Sequence, residues 1–376
     1  MAKEEFDISE AALEGETAPI VKIVNLILIE SLKRRASDIH VEPEEDSLRV
    51  RYRVDGSLHE VLTIPKKNQN AVLARLKIMS GMDITESRIP QDGRFKIRAR
   101  NKEVDYRVSV LPTSFGAKVV LRALDKSNLS MGLDKLGFSE YTLQRFKEAI
   151  AMPFGMILVT GPTGSGKSTT LYSVINQLNT ADKNIITIED PVEYQVEGIT
   201  QVQANSDIGL TFASGLRSLL RQSPDVIMIG EIRDSETADI AIKASLTGQL
   251  VLSTLHTNDA PTAISRLMDM GVEPFLIASS IILVAAQRLC RVVCKACNGK
   301  GCEKCSSTGY YGRRAILEVL RVDDKVRELI IDRASVDKVR NYAISKGMKT
   351  LRQDAMEKYE KGVTTKEEVL RVTSEE

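Results

Sequence analysis

The stretch Gly161-Pro162-Thr163-Gly164-Ser165-Gly166-Lys167-Ser168-Thr169 constrains this chain more than any other. It fits G-x-x-x-x-G-K-[ST] without a gap. An apolar run over 155–160 leads in, and residues 168–175 read as a helix leading out. Strand, glycine-rich turn and helix in that order make a phosphate cradle. The glycines let backbone N–H groups turn inward, and the helix N-terminus adds partial positive charge. Lys167 is then expected to reach the β- and γ-phosphates and Ser168 to hold Mg²⁺. The stretch predicts a nucleotide site.

A chain of 376 residues exceeds one ordinary core, so at least two domains are expected around this loop. Residues 1–16 are acidic and read as a loose N-terminus. Residues 17–125 read as a small α+β domain. A helix starts near Thr17 and Pro19, with Ile20, Ile23, Val24, Ile27, Leu28 and Leu32 on one face. Leu48, Val50, Tyr52 and Val54 then alternate with Arg49, Arg51 and Arg53, and Asp55-Gly56 predicts a hairpin turn into 58–64. A helix over 70–79 and strands over 95–100, 104–111 and 118–124 complete it. Residues 126–137 read as a linker. From 138 to 376 strands over 156–160, 185–188, 226–229 and 250–254 alternate with helices, which predicts a parallel sheet covered on both faces. Three helices close the chain within 323–372.

Composition narrows the partners. A formal net charge of +1, 17 aromatic residues (9 Tyr and 8 Phe) and no Trp give neither a general pull toward nucleic acid nor many platforms for its bases. The polar start argues against a signal peptide. The longest apolar run, 275–286, is broken by Ser279 and Ser280 and is too short to span a bilayer. No direct membrane insertion is expected, and any membrane contact is expected to come through a partner.

Four further stretches carry chemistry. Thr187-Ile188-Glu189-Asp190-Pro191-Val192-Glu193 follows a predicted strand, where carboxylates beside a phosphate loop can polarise a water; the alternative is a solvated acidic turn. Residues 224–234 run from an apolar strand through Gly230 into Glu231, Arg233 and Asp234, a displaced version of the strand-end acid that holds Mg²⁺. Arg217 and Arg221 lie one helical turn apart upstream, either near the ligand or as ordinary surface charges. His256 follows the predicted strand 250–254, positioned to bond a phosphate or a neighbouring subunit; the alternative is a histidine with a structural role. Finally, Cys294, Cys297, Cys302 and Cys305 form two C-x-x-C knuckles separated by Gly299 and Gly301, a set that can fold four thiolates around one structural Zn²⁺. Cys290, apart from these, is expected to be packed on an apolar helix.

These boxes, in this order and spacing, resemble the secretion ATPase superfamily of bacterial type IV pili and type II secretion (PilB/GspE type), and most of all the core of a type IV pilus assembly ATPase. The segments 88–94 and 105–112 in the first domain share the resemblance, which covers nearly the whole chain from about residue 17. It implies a hexameric, cytoplasmic, Mg-dependent ATPase with a PAS-like first domain and a RecA-like motor domain, the latter carrying a zinc-binding segment over 290–313. It implies Glu193 as general base and Glu231 holding Mg²⁺ through water. Arg107 and Arg122 would reach the γ-phosphate from the first domain; Arg217, Arg221, Arg233 and Arg266 would lie near the nucleotide or a subunit boundary. An inner-membrane platform protein is the implied partner. Retraction members of the superfamily generally lack the cysteine motif, so the resemblance favours extension or type II secretion. Extension and secretion members usually carry further N-terminal domains, so the chain is expected to be either a core fragment or a short member. A DNA-translocating motor and a nucleotide-controlled scaffold are the readings from other classes.

Overall fold

The structure, a computed structural model, describes residues 5–8, 18–99, 102–124 and 132–373. Most of the expected loose N-terminus over 1–16 and residues 126–131 of the expected linker over 126–137 fall outside the described residues; the rest of the linker holds a short 3-10 turn, Leu133–Leu136. Two compact units form: residues 1–127 together with 296–311, and residues 128–295 together with 312–376.

The first unit holds strands β1 (Glu5–Asp7), β2 (Asp38–Pro43), β3 (Ser47–Val54), β4 (Ser57–Pro65), β5 (Gln91–Ala99), β6 (Lys102–Thr113) and β7 (Gly116–Leu124). They make one sheet in the order β1-β5-β6-β7-β2-β3-β4, antiparallel except for β1 against β5. The alternation read in the sequence is real: Leu48, Val50, Tyr52 and Val54 are buried, packing with the helices Pro19–Lys33 and Gln69–Met79. Asp55 and Gly56 both take positive φ, as the tight turn between right-twisted strands requires. The opposite face of β2 is charged. Glu42 accepts from Arg51 at 2.7 and 2.8 Å and pairs with Lys118 at 2.8 Å. Burial opposes its charge, but these donors win and hold the carboxyl at about 2.

The second unit holds β8 (Gly155–Thr160), β9 (Ile185–Glu189), β10 (Thr200–Gln203), β11 (Val226–Ile229), β12 (Leu250–Leu255), β13 (Ile281–Val293) and β14 (Tyr310–Arg321), in the order β10-β9-β11-β12-β8-β13-β14. From β10 through β13 every neighbour is parallel. Both faces are covered, as expected of this strand–helix rhythm. Met156 and Leu158 of β8 enter one apolar cluster, and Ile157 and Val159 enter another.

Three expectations are corrected. Cys290 is fully buried, but on strand β13 and not on a helix. A strand covered on both faces has no period-2 signal, and its Ile, Val and Leu content reads equally as a buried helix. β1, β2, β10, β13 and β14 were not anticipated. A fourth closing helix, Lys366–Val372, follows the three expected ones. It is pinned by Glu368, which takes Arg291 of β13 at 2.8 Å.

Candidate active site

β8, β9, β11 and β12 all end on the same side of the parallel sheet, where an open α/β sheet places its ligands. The residues after those ends are the ones the sequence singled out. Gly161 to Gly166 follow β8, with positive φ at Gly161, Gly164 and Gly166. Lys167 opens the helix Lys167–Leu178. Pro162, Thr163, Gly164 and Ser168 are exposed and Thr169 half-buried, whereas Ser165 and Lys167 are buried. Ser165 Oγ is buried with no hydrogen-bond partner among the described residues, a donor set into the turn that fits a phosphate. Lys167 Nζ donates to Gly161 O at 2.7 Å and to Pro162 O at 3.2 Å. Burial pulls its ammonium down to about 8, against the attraction of Glu231 and with help from Arg288.

β12 lies directly beside β8 and carries His256 just past its end. Thr160, the last residue of β8, fixes that turn. Its Oγ1 accepts from Thr257 N at 2.8 Å and sits 3.1 Å from the carbonyl oxygens of Leu255 and Thr257. His256 Nε2 then meets Glu231 at 3.1 Å, and Arg233 pairs with the other Glu231 oxygen. Lys167, Glu231, Arg233 and His256 therefore form one electrostatic group. A carboxylate held between a histidine and an arginine, facing a lysine across the strand ends, fits a role around a metal–phosphate ligand. Glu231 and Ser168 offer oxygens of the kind that can hold Mg²⁺.

The acid box divides into two roles. Glu189 is buried and saturated: it accepts from Tyr172 Oη at 2.5 Å, Thr187 Oγ1 at 2.6 Å and Gln201 Nε2 at 3.2 Å. Glu193 lies half-buried in the irregular segment before β10. The neighbouring Tyr194 packs edge-on against Tyr172 of the P-loop helix, ring centroids 5.8 Å apart, which ties this segment to that helix. Arg217 pairs with Glu236, and Arg221 donates to Arg217 O at 2.9 Å. Arg266 is exposed in the last turn of the helix Ala260–Asp269. None of these three is seen in the Glu231 group. Arg107 and Arg122 face each other across β6 and β7 of the first unit, and Arg122 bonds Asp38 at 2.9 Å. Thr160, Tyr172 and Gln287 were missed in the sequence; each acts on a residue far along the chain, and no local pattern marks it.

Between β13 and β14 the four cysteines Cys294, Cys297, Cys302 and Cys305 bring all their sulfurs within 4.8 Å of one another. Cys305 Sγ stands 3.8 Å from that of Cys297 and 3.7 Å from that of Cys302. Four thiolates at the usual Zn–S length of about 2.3 Å have edges of about 3.8 Å, so the set fits zinc. Backbone N–H groups of Gly301 and Cys302 point at Cys297 and Cys305 sulfurs at 3.2 Å, the donors that stabilise thiolates. Burial opposes ionisation, yet such donors hold the Cys305 thiol at about 6. The stretch between the knuckles and the stretch after the second pack so closely that a Cβ on Gly309 would stand 2.4 Å from Gly299 O.

Residues 14–371 match the family model described as "Type II/IV secretion system protein". The chain belongs to this family. A type IV pilus assembly ATPase PilB of Myxococcus xanthus is 53% identical over 98% of this chain and 71% of its own length. A type II secretion system protein E of Dickeya dadantii is 47% identical over 99% of this chain and 80% of its own. Among solved structures of related fold, the pilus retraction motor PilT with bound ADP is 28% identical, covering 95% of this chain and 97% of that one, with a TM-score of 0.66. The Legionella pneumophila ATPase DotB shares the fold at a TM-score of 0.74 and 24% identity, covering 96% and 98%. Among the described residues of this family member, no helix is long and apolar enough to cross a membrane.

Proposed function

We propose that the chain is the ATPase of a type IV pilus assembly machine, acting as a cytoplasmic hexamer against an inner-membrane platform protein. The observation that carries the choice is the 53% identity, over 98% of this chain, with a protein named as a pilus assembly ATPase. The type II secretion ATPases, at 47% over 99%, make pseudopilus assembly the second reading. The chain is an ATPase in either case, and the P-loop with its strand-end group is the machinery.

In the proposed mechanism the backbone N–H groups of the loop bind the phosphates, except at Pro162, which has none, and Ser165, whose N–H donates to Pro162 O at 3.2 Å. Lys167 turns from the loop carbonyls to the β- and γ-phosphates. Ser168 and Glu231 would hold Mg²⁺, which when bound screens phosphate charge. Arg233 and His256 keep Glu231 oriented. Glu193 takes the proton of the attacking water. Arg107 and Arg122, from a first domain of PAS-like type spanning about 17–125, meet the charge that develops on the γ-phosphate of the RecA-like domain over 138–376. Arg217, Arg221 and Arg266 serve the subunit boundary. Zinc on Cys294, Cys297, Cys302 and Cys305 would supply structure and no chemistry.

Glu193→Gln tests the assignment. Removing a general base lowers turnover by roughly 10²–10⁴-fold while leaving ADP affinity in place. Equal Mg-ATP turnover in the parent and the variant would remove Glu193 from the reaction.

A further inference from the structure

Two P-loop glycines answer to a strand outside the nucleotide boxes. β13 runs parallel to β8, and its register, Ala286 against Thr160, brings Gln287 opposite Gly161. A Cβ on Gly161 would stand 2.4 Å from Gln287 O, and one on Gly166 would stand 2.7 Å from Gln287 Nε2. The loop thus closes around this one residue, which is 2% exposed. Gln287 Nε2 donates to Ser165 O at 2.9 Å, and its Oε1 accepts from Thr170 Oγ1 at 2.7 Å. A neutral amide offers donor and acceptor on one planar head, and Ser165 O, which can only accept, fixes which end faces the loop.

A turn that binds phosphate with its N–H groups must aim its carbonyls elsewhere and find them donors. Here Gly161 O is served by Lys167 Nζ, the group that nucleotide phosphates compete for, and Pro162 O by Lys167 Nζ and by Ser165 N at 3.2 Å. Ser165 O is served by Gln287, which no phosphate competes for. We propose that Gln287 is a positioning residue of the ATPase site: it holds the Ser165 carbonyl on the far side of the loop, so that the loop N–H groups keep facing the β-phosphate while Lys167 engages the ligand. This rests on the ATPase reading above and adds to it a residue from β13.

The test measures ADP and AMP affinity by calorimetry for the parent, Gln287→Leu and Gln287→Glu between pH 6 and pH 9, with melting temperature alongside. Leaving Ser165 O and Thr170 Oγ1 buried and unserved should weaken ADP binding by about 10–100-fold in the leucine variant. AMP, which has no β-phosphate, should be little affected. The glutamate variant adds a readout that mere packing would not move. A protonated carboxyl donates to Ser165 O as the amide does; a carboxylate cannot, and it sets its charge against that oxygen. Its ADP affinity, divided by the parent's at each pH, should therefore be near one at low pH and fall as pH rises, while the leucine ratio stays flat. ADP affinities equal to the parent's in both variants would overturn the proposal. So would ADP and AMP weakened alike with a flat glutamate ratio. If the leucine variant does not fold, the glutamate pH series decides alone. A parent that binds no ADP, or binds it undiminished after Lys167→Ala, would instead bring down the ATPase reading.

Discussion

At the scale of the residue, Lys167 connects burial to ligand binding. Its ammonium sits at about 8 because it is buried, and Glu231 only partly offsets that. Phosphate binding favours the charged form. Below about pH 8 that form is already present; above it, each ADP bound must bring a proton. ADP affinity should therefore fall by up to about tenfold per pH unit above 8, since one pKa unit is one decade of binding. Lys167→Arg, charged at every accessible pH, should lose that slope. Titrations at pH 7, 8 and 9 check this, and the same slope in both proteins would contradict it. Lys167 and Ser168 were legible in the sequence because the chemistry is local: one turn supplies the whole pattern. Gln287 and Thr160 were not. Their partners are brought near by strand pairing, Gln287 to Ser165 across 122 positions and Thr160 to Thr257 across 97. Gln287 stands beside Arg288 in β13, so nothing local sets it apart as a buried, partnered amide.

At the scale of the element, the strands that end in site residues were the ones the sequence marked. β8, β9, β11 and β12 are short apolar runs closed by glycine, an acid or a histidine, so their ends are visible. β13 and β14 carry no such punctuation where they are buried, and β13 was mistaken for helix. The cysteine segment lay open to reading because ligand spacing is a local constraint, but its fit to a tetrahedral ion needed the 3.7 and 3.8 Å sulfur separations. Metal analysis of the purified chain should find about one zinc per chain, with loss of the metal under a strong chelator lowering the melting temperature. A folded protein with no metal and four freely titrating thiols in this segment would contradict the assignment.

At the scale of the whole molecule, the two-part organisation follows from length and from the change of rhythm near residue 138. The ring does not follow from any pattern in the chain; it comes from the resemblance. Ile84, Ile89 and Phe115 in the first unit, and Phe154 and Phe275 in the second, are about half exposed or more; single apolar side chains of this kind are ordinary on a protein surface and name no partner by themselves. Under the proposed function, Arg107 and Arg122 are what the first unit contributes to turnover.

Mg-ATP turnover per chain, followed across a wide range of protein concentration with the mass determined at each point, tests this account most directly. The account predicts that turnover climbs as hexamers appear. Steady, measurable turnover from monomers at every concentration would contradict it.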